Sequence, residues 1–176
     1  MSWSRPLKAT ALSLSILGLA GGCGYSLAGK ANSLPPEVRS VFLQPIENRT
    51  QRSQVEQFIQ RAIADELVRR QRLTLVSERT TADSLLSGVI VGLTVIPVTF
   101  DDQGRALRYE ISILAELALK RRVPEAVLWS NDRYVFKDNY EIEVDERDYF
   151  DRETLVIRRV AEKFAETAVT DILEGF

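Results

Sequence analysis

The chain has 176 residues with 23 basic and 25 acidic side chains, one cysteine and no histidine. Without histidine or a second thiol, the usual zinc and thiolate ligand sets and the Ser-His or Cys-His nucleophile pairs cannot be assembled, which closes most enzyme classes and predicts no metal centre. The slightly acidic balance argues against nucleic-acid binding, which wants a strongly basic domain. No intramolecular disulfide can form, so a core and hydrogen bonds must stabilise the fold.

The first 22 residues divide as a secretory signal does. Met1 to Lys8 carries Arg5 and Lys8, Ala9 to Leu19 is apolar, and Ala20-Gly21-Gly22 supplies small residues before Cys23. The apolar stretch is too short to span a bilayer, which needs about 20 residues. Leu19-Ala20-Gly21-Gly22-Cys23 resembles the lipobox of bacterial lipoproteins, with Ala20 where leucine is usual. That resemblance implies acyl chains on Cys23, a membrane anchor without other cofactors, and loss of residues 1–22. Gly24, where lipoproteins retained in the inner membrane have aspartate, points to the periplasmic side of the outer membrane.

Residues 23–37 read as a lipidated N-terminus and tether, rich in small residues and ending in Pro35-Pro36. Residues 38–176 are expected to form a single domain. Val38 to Ile46 has the β-branched, apolar character of a first strand, closed by a turn at Asn48-Arg49-Thr50. Ser53 and Glu56 have capping-box spacing, with Thr50 as a competing cap. Val55, Phe58, Ile59, Ala62, Ile63 and Leu67 then repeat at helical spacing, predicting a helix of about 20 residues ending near Gln71.

Leu73 to Ser77 is expected as a short strand parallel to the first. After a turn at Ala82 to Ser84, Leu85 to Phe100 predicts a long apolar strand with Gly88, Gly92 and Pro97 as points of bend, bulge or edge exposure. Asp101 to Gly104 is a hairpin loop. Ala106 to Lys120 alternates cleanly, with Leu107, Tyr109, Ile111, Ile113, Ala115, Leu117 and Leu119 on one face. A turn at Arg121 to Ala126 leads to a strand over Val127 to Lys137, with a bulge expected near Asn131-Asp132. Residues 138–150 are acidic and aromatic, and Asp151 is the expected N-cap of a last helix. Its apolar stripe runs through Ile157, Val160, Ala161, Phe164, Ala168, Val169 and Ile172, with Gly175 placed to stop it. The fold class expected is α+β: a two-layer sandwich, two long helices on one face of a mixed sheet of four or five strands.

Several segments together carry a family likeness: Gly22-Cys23-Gly24-Tyr25-Ser26-Leu27, Leu34-Pro35, Ile46-Glu47-Asn48-Arg49-Thr50, the strand-turn-strand around Asp101 to Tyr109, Phe150-Asp151-Arg152-Glu153, and Ile172-Leu173-Glu174-Gly175-Phe176. With the order of elements, they resemble the LPS-assembly lipoproteins, the LptE family. That resemblance implies a non-enzymatic subunit that plugs the outer-membrane LPS translocon β-barrel, aids its assembly and contacts lipopolysaccharide on its way to the outer leaflet. In this family the turn between the two long central strands and nearby basic residues are associated with LPS. Carried onto this chain, that makes Arg105 and Arg108 the LPS-binding candidates, and Lys120, opening the basic run Lys120-Arg121-Arg122, joins them. Asp101 and Asp102 at the turn and the aromatic residues Trp129 and Tyr149 are candidates for partner contact. Each has a plainer reading: the arginines as solvated strand residues, Lys120 as part of a solvated turn, Trp129 as core. Arg69-Arg70-x-Arg72 has one too, as cations at a helix C-terminus where the macrodipole favours them; either basic run could instead meet a barrel wall or lipid headgroups. The carboxylates Asp145, Glu146, Asp148 and Asp151 have the composition of a glycosidase pair, but capping and solvation explain them more simply. The alternative function is that of another outer-membrane lipoprotein, accessory to a secretion channel or a peptidoglycan synthase.

Overall fold

Strand β1 spans Ser40–Leu43, and the chain then breaks before a two-residue strand β2, Glu47–Asn48. The single strand expected over Val38 to Ile46 is therefore two. Pro45 is the reason: it has no N–H for a ladder. Its neighbours are held separately, Gln44 N–H donating to Leu86 O at 2.8 Å and Ile46 N–H to Gln60 Oε1 at 2.8 Å. The structure, a computed structural model, describes residues 34–141 and 149–175, with side chains of the last helix described from Leu155 onward.

Helix α1 runs Val55–Arg70 and buries Val55, Ile59, Ala62, Ile63 and Leu67 of the stripe read from spacing, with Phe58 half-buried beside them. Its start differs from expectation. Gln54 precedes it in a left-handed conformation at φ 68° with no side-chain cap, so neither Ser53 nor Thr50 caps it. Asn48 competes for the same groups: its Nδ2 donates to Glu56 at 2.7 Å and to Arg52 O at 2.8 Å, while its Oδ1 accepts from the Thr50 hydroxyl at 2.7 Å. Helix α1 is 16 residues long, ending before Gln71 at φ 53°.

Strand β3, Thr74–Leu75, lies parallel to β1 as a right-handed crossover requires. It is shorter than the Leu73 to Ser77 segment expected. Three long strands follow: β4 Ser84–Phe100, β5 Ala106–Arg121 and β6 Ala126–Glu141. The sheet order is β3-β1-β4-β5-β6, with β2 also paired to β4, so the mixed sheet has six strands rather than four or five. β1 and β2 run parallel to β4, and β5 is antiparallel to both β4 and β6. The β4–β5 register shifts between Ile90 and Gly92 and again beyond Pro97, and the β5–β6 register shifts opposite Asn131, where the bulge was expected.

Helix α2, Tyr149–Glu174, begins before Asp151, which is thus inside the helix rather than its N-cap. Gly175 ends it at φ 78°, its N–H bonded to Asp171 O at 2.8 Å. Both helices contribute to one core over one face of the sheet. Phe164 is fully buried, with Tyr134 and Phe136 edge-on to it at 5.7 and 5.8 Å. Burying such a side chain contributes about 1.5–3 kcal/mol.

Candidate functional site

Strands and helices cover distance at different rates. At about 3.3 Å per residue β4 is about 56 Å long, whereas α1, at about 1.5 Å per residue, is about 24 Å. The long strands therefore outrun α1. Residues 84–90 of β4 alternate between buried and half-buried, but from Thr94 to Phe100 every residue is exposed. Val95, Ile96, Val98 and Phe100 are 42–55% exposed, and Leu107 joins them from β5. Among the described residues, β2 is the last strand to pair with the outer edge of β4, at Val89 and Ile90, so the edge beyond is open. Pro97 lies within that open stretch, a residue that discourages pairing with a stray strand.

The projection ends in the loop between β4 and β5. Asp101 N–H donates to Arg105 O at 2.9 Å and Gly104 N–H to Asp101 O at 3.0 Å. Gly104 sits at φ 76°, the left-handed position of a tight hairpin. The Asp101 carboxylate accepts from the backbone N–H of Arg105 at 2.8 Å and of Gln103 at 2.9 Å, and from Arg105 Nε at 2.7 Å. Those donors, the Arg105 backbone first, hold its carboxyl below the usual range. Asp102 is exposed at the tip.

Arg108, two residues into β5's exposed end, faces Glu141 across the sheet and is salt-bridged to it. Behind this pair Tyr109 and Tyr140 stack with centroids 5.6 Å apart. Arg105 and Arg108 thus share one end of the molecule, each already holding a carboxylate. Lys120 does not join them: it lies twelve residues further along β5, about 40 Å away at strand rise. Trp129 is 9% exposed and packs edge-on to Tyr134 at 6.3 Å, a core position that leaves little of it for a partner. The Tyr149 side chain, Cys23, and the acidic residues Asp145, Glu146 and Asp148 lie outside the described residues. The apolar flank of the hairpin was not singled out from the sequence, although an apolar strand longer than the helix meant to cover it is a readable sign.

Among the described residues no group of three potential ligands could hold a metal ion, and no helix is long and apolar enough to cross a membrane. A recess of about 220 Å³ lies at the opposite end from the hairpin, lined by Glu37, Asp83, Arg121, Arg122 and Val123 among others.

This α+β build is found in solved bacterial proteins of similar size. The hypothetical protein CT253 from Chlamydia trachomatis is similar over 78% of this chain and 99% of its own, at TM-score 0.52 and 9% identity. The PelC dodecamer subunit from Paraburkholderia phytofirmans is similar over 80% and 93%, at TM-score 0.53 and 14% identity. Rare lipoprotein B from Shewanella oneidensis is similar over 76% and 92%, at TM-score 0.45 and 14% identity. Comparison with curated protein sequences returned no similar chain. Residues 38–172 match the LptE family, described as lipopolysaccharide-assembly, and the chain belongs to that family. Membership supports a role as a non-enzymatic outer-membrane lipoprotein.

Proposed function

We propose that this protein is acylated at Cys23, held on the periplasmic side of the outer membrane, and inserted through its long hairpin into the LPS translocon β-barrel, which it plugs and helps to assemble. The observation that carries this reading is the projecting end of β4 and β5. Among the described residues this strand end carries an exposed apolar flank, a surface suited to a partner. The strands, at about 56 Å, are longer than the 40–45 Å or so of a bilayer with its headgroups, so a hairpin standing in a barrel lumen reaches from one rim to the other. Arg105 and Arg108 at its tip are the candidates for lipopolysaccharide phosphate, since guanidinium is suited to bidentate phosphate contact. Their pairing with Asp101 and Glu141 holds them in place and means that a phosphate must compete with a carboxylate. Asp101 and Asp102 then meet the barrel or its loops.

The test is affinity purification of the full-length lipoprotein from detergent-solubilised envelopes. Recovery of a large β-barrel at near-equal stoichiometry, resistant to salt, is expected. A clean lipoprotein with no barrel would overturn the reading and favour an accessory role elsewhere in the envelope.

A further inference from the structure

We propose that the end of the domain opposite the hairpin is a docking face for the anionic phospholipid headgroups of the leaflet that holds the anchor. This inference rests on the reading of Cys23 as the lipidation site. Two basic runs far apart in the chain, Arg69-Arg70-x-Arg72 and Lys120-Arg121-Arg122, converge there with the first described residues. Arg72 lies two residues before Thr74, whose N–H donates to Arg39 O at 2.8 Å. Arg39 and Ser40 N–H both donate to Asp83 Oδ2, at 3.0 and 2.9 Å, and Arg122 N–H donates to Asp83 O at 2.8 Å. Lys120 and Arg121 stand opposite Leu85 and Ser84 at the start of β4, and Arg121 reaches Glu37 at 3.2 Å.

The charge is differently disposed from that at the hairpin. Arg105 and Arg108 each hold a carboxylate, whereas Arg39, Arg72 and Lys120 are exposed and form no ion pair among the described residues. Glu66 holds Arg69 and Arg70, Glu37 and Asp83 offset part of the charge through Arg121 and beside Arg122, and Glu125 adds an exposed acid. The unpaired cations remain in excess. Val123 is 69% exposed in the turn between β5 and β6, beside the cations, an arrangement suited to the boundary between headgroups and acyl chains.

Chain length supplies the geometry. Leu34 is eleven residues from Cys23, a span of at most about 40 Å even fully extended. An anchored domain therefore keeps this end near the leaflet surface, where each exposed cation strengthens attachment about fivefold. The hairpin is left free at the far end, so headgroups and a barrel can be engaged at once.

The full mature chain carrying Cys23→Ala, which cannot be acylated, should sediment with vesicles of phosphatidylcholine and phosphatidylglycerol but not with phosphatidylcholine alone. Binding should weaken as salt is raised. Lys120→Glu and Arg72→Glu should each lower affinity about fivefold or more, while Lys120→Arg and Arg133→Glu, the latter exposed in the middle of β6, leave it unchanged. Thermal melts establish that the variants are folded, and all the altered positions are exposed. Equal binding to neutral vesicles, reversal variants that bind like the parent, or an equal loss in Arg133→Glu would overturn the proposal. Since neither acylation nor a barrel enters this assay, its failure is distinct from failure of the translocon reading.

Discussion

Glu66 is the one acidic side chain buried in the core of the described residues, on the apolar stripe of α1 with 3% of its side chain exposed. Burial alone would raise its pKa, but hydrogen bonds from Arg70 and Arg69, with their charge, outweigh it and hold the carboxyl below its ordinary value near 4.5. Arg70 also donates to Thr170 at 2.6 Å, so the cluster joins α1 to α2. Because the folded pKa is the lower one, this contribution is fully present above pH 4.5 and disappears as pH falls through the folded value. Glu66→Gln should cost about 1.5–3 kcal/mol at neutral pH, with the gap to the parent closing in acid; urea titrations across that pH range measure it. Gly88 makes a different demand. A Cβ there would lie 3.0 Å from Leu117 Cδ2 and 3.1 Å from Ile46 Cδ1, so any side chain would force both neighbours to give by a few tenths of an ångström. Gly88→Val should destabilise by about 1–3 kcal/mol in the same assay, while retaining the secondary structure in circular dichroism.

Elements differ in what they owe to packing. Helix α2 and the half of the sheet beneath it are held by residues such as Phe164, where truncation to alanine should cost about 3–5 kcal/mol. Phe100 on the projecting end of β4 is 55% exposed, so Phe100→Ser should change the unfolding free energy by less than about 0.5 kcal/mol and reduce recovery of the barrel partner instead. A loss of stability equal to that of Phe164→Ala would mean that the hairpin belongs to the core. The stripes of both helices and the hairpin turn were legible because their periods are local. The split of β1 from β2 at Pro45 and the absent capping box were not, since they depend on Gln60, Leu86 and Asn48 finding partners outside their own segments. Of the candidate site, Arg105 and Arg108 could be named through the family resemblance and Asp101 lies in the same turn, but the carboxylate partner of Arg108 could not be read: Glu141 is 33 residues from it.

At the scale of the whole molecule, the proposals made above assign different roles to two ends of the domain about a strand's length apart, headgroup docking at one and the partner at the other. Cys23→Ala in the full-length chain should abolish incorporation of labelled palmitate and leave membrane attachment to the barrel partner and the weak headgroup face; metabolic labelling tests this. Label incorporated into Cys23→Ala would show that Cys23 is not the acylation site. By itself the sequence determined the class of fold, the helix faces, the hairpin and the family likeness, all of which are written in short-range patterns of hydrophobicity and turn chemistry. Only the tertiary structure decided which cations are neutralised, that two distant basic runs share one end, and that an apolar strand is left uncovered. Those depend on which strands pair and how far each helix reaches, and a strand that rises twice as fast as the helix over it leaves its own end exposed.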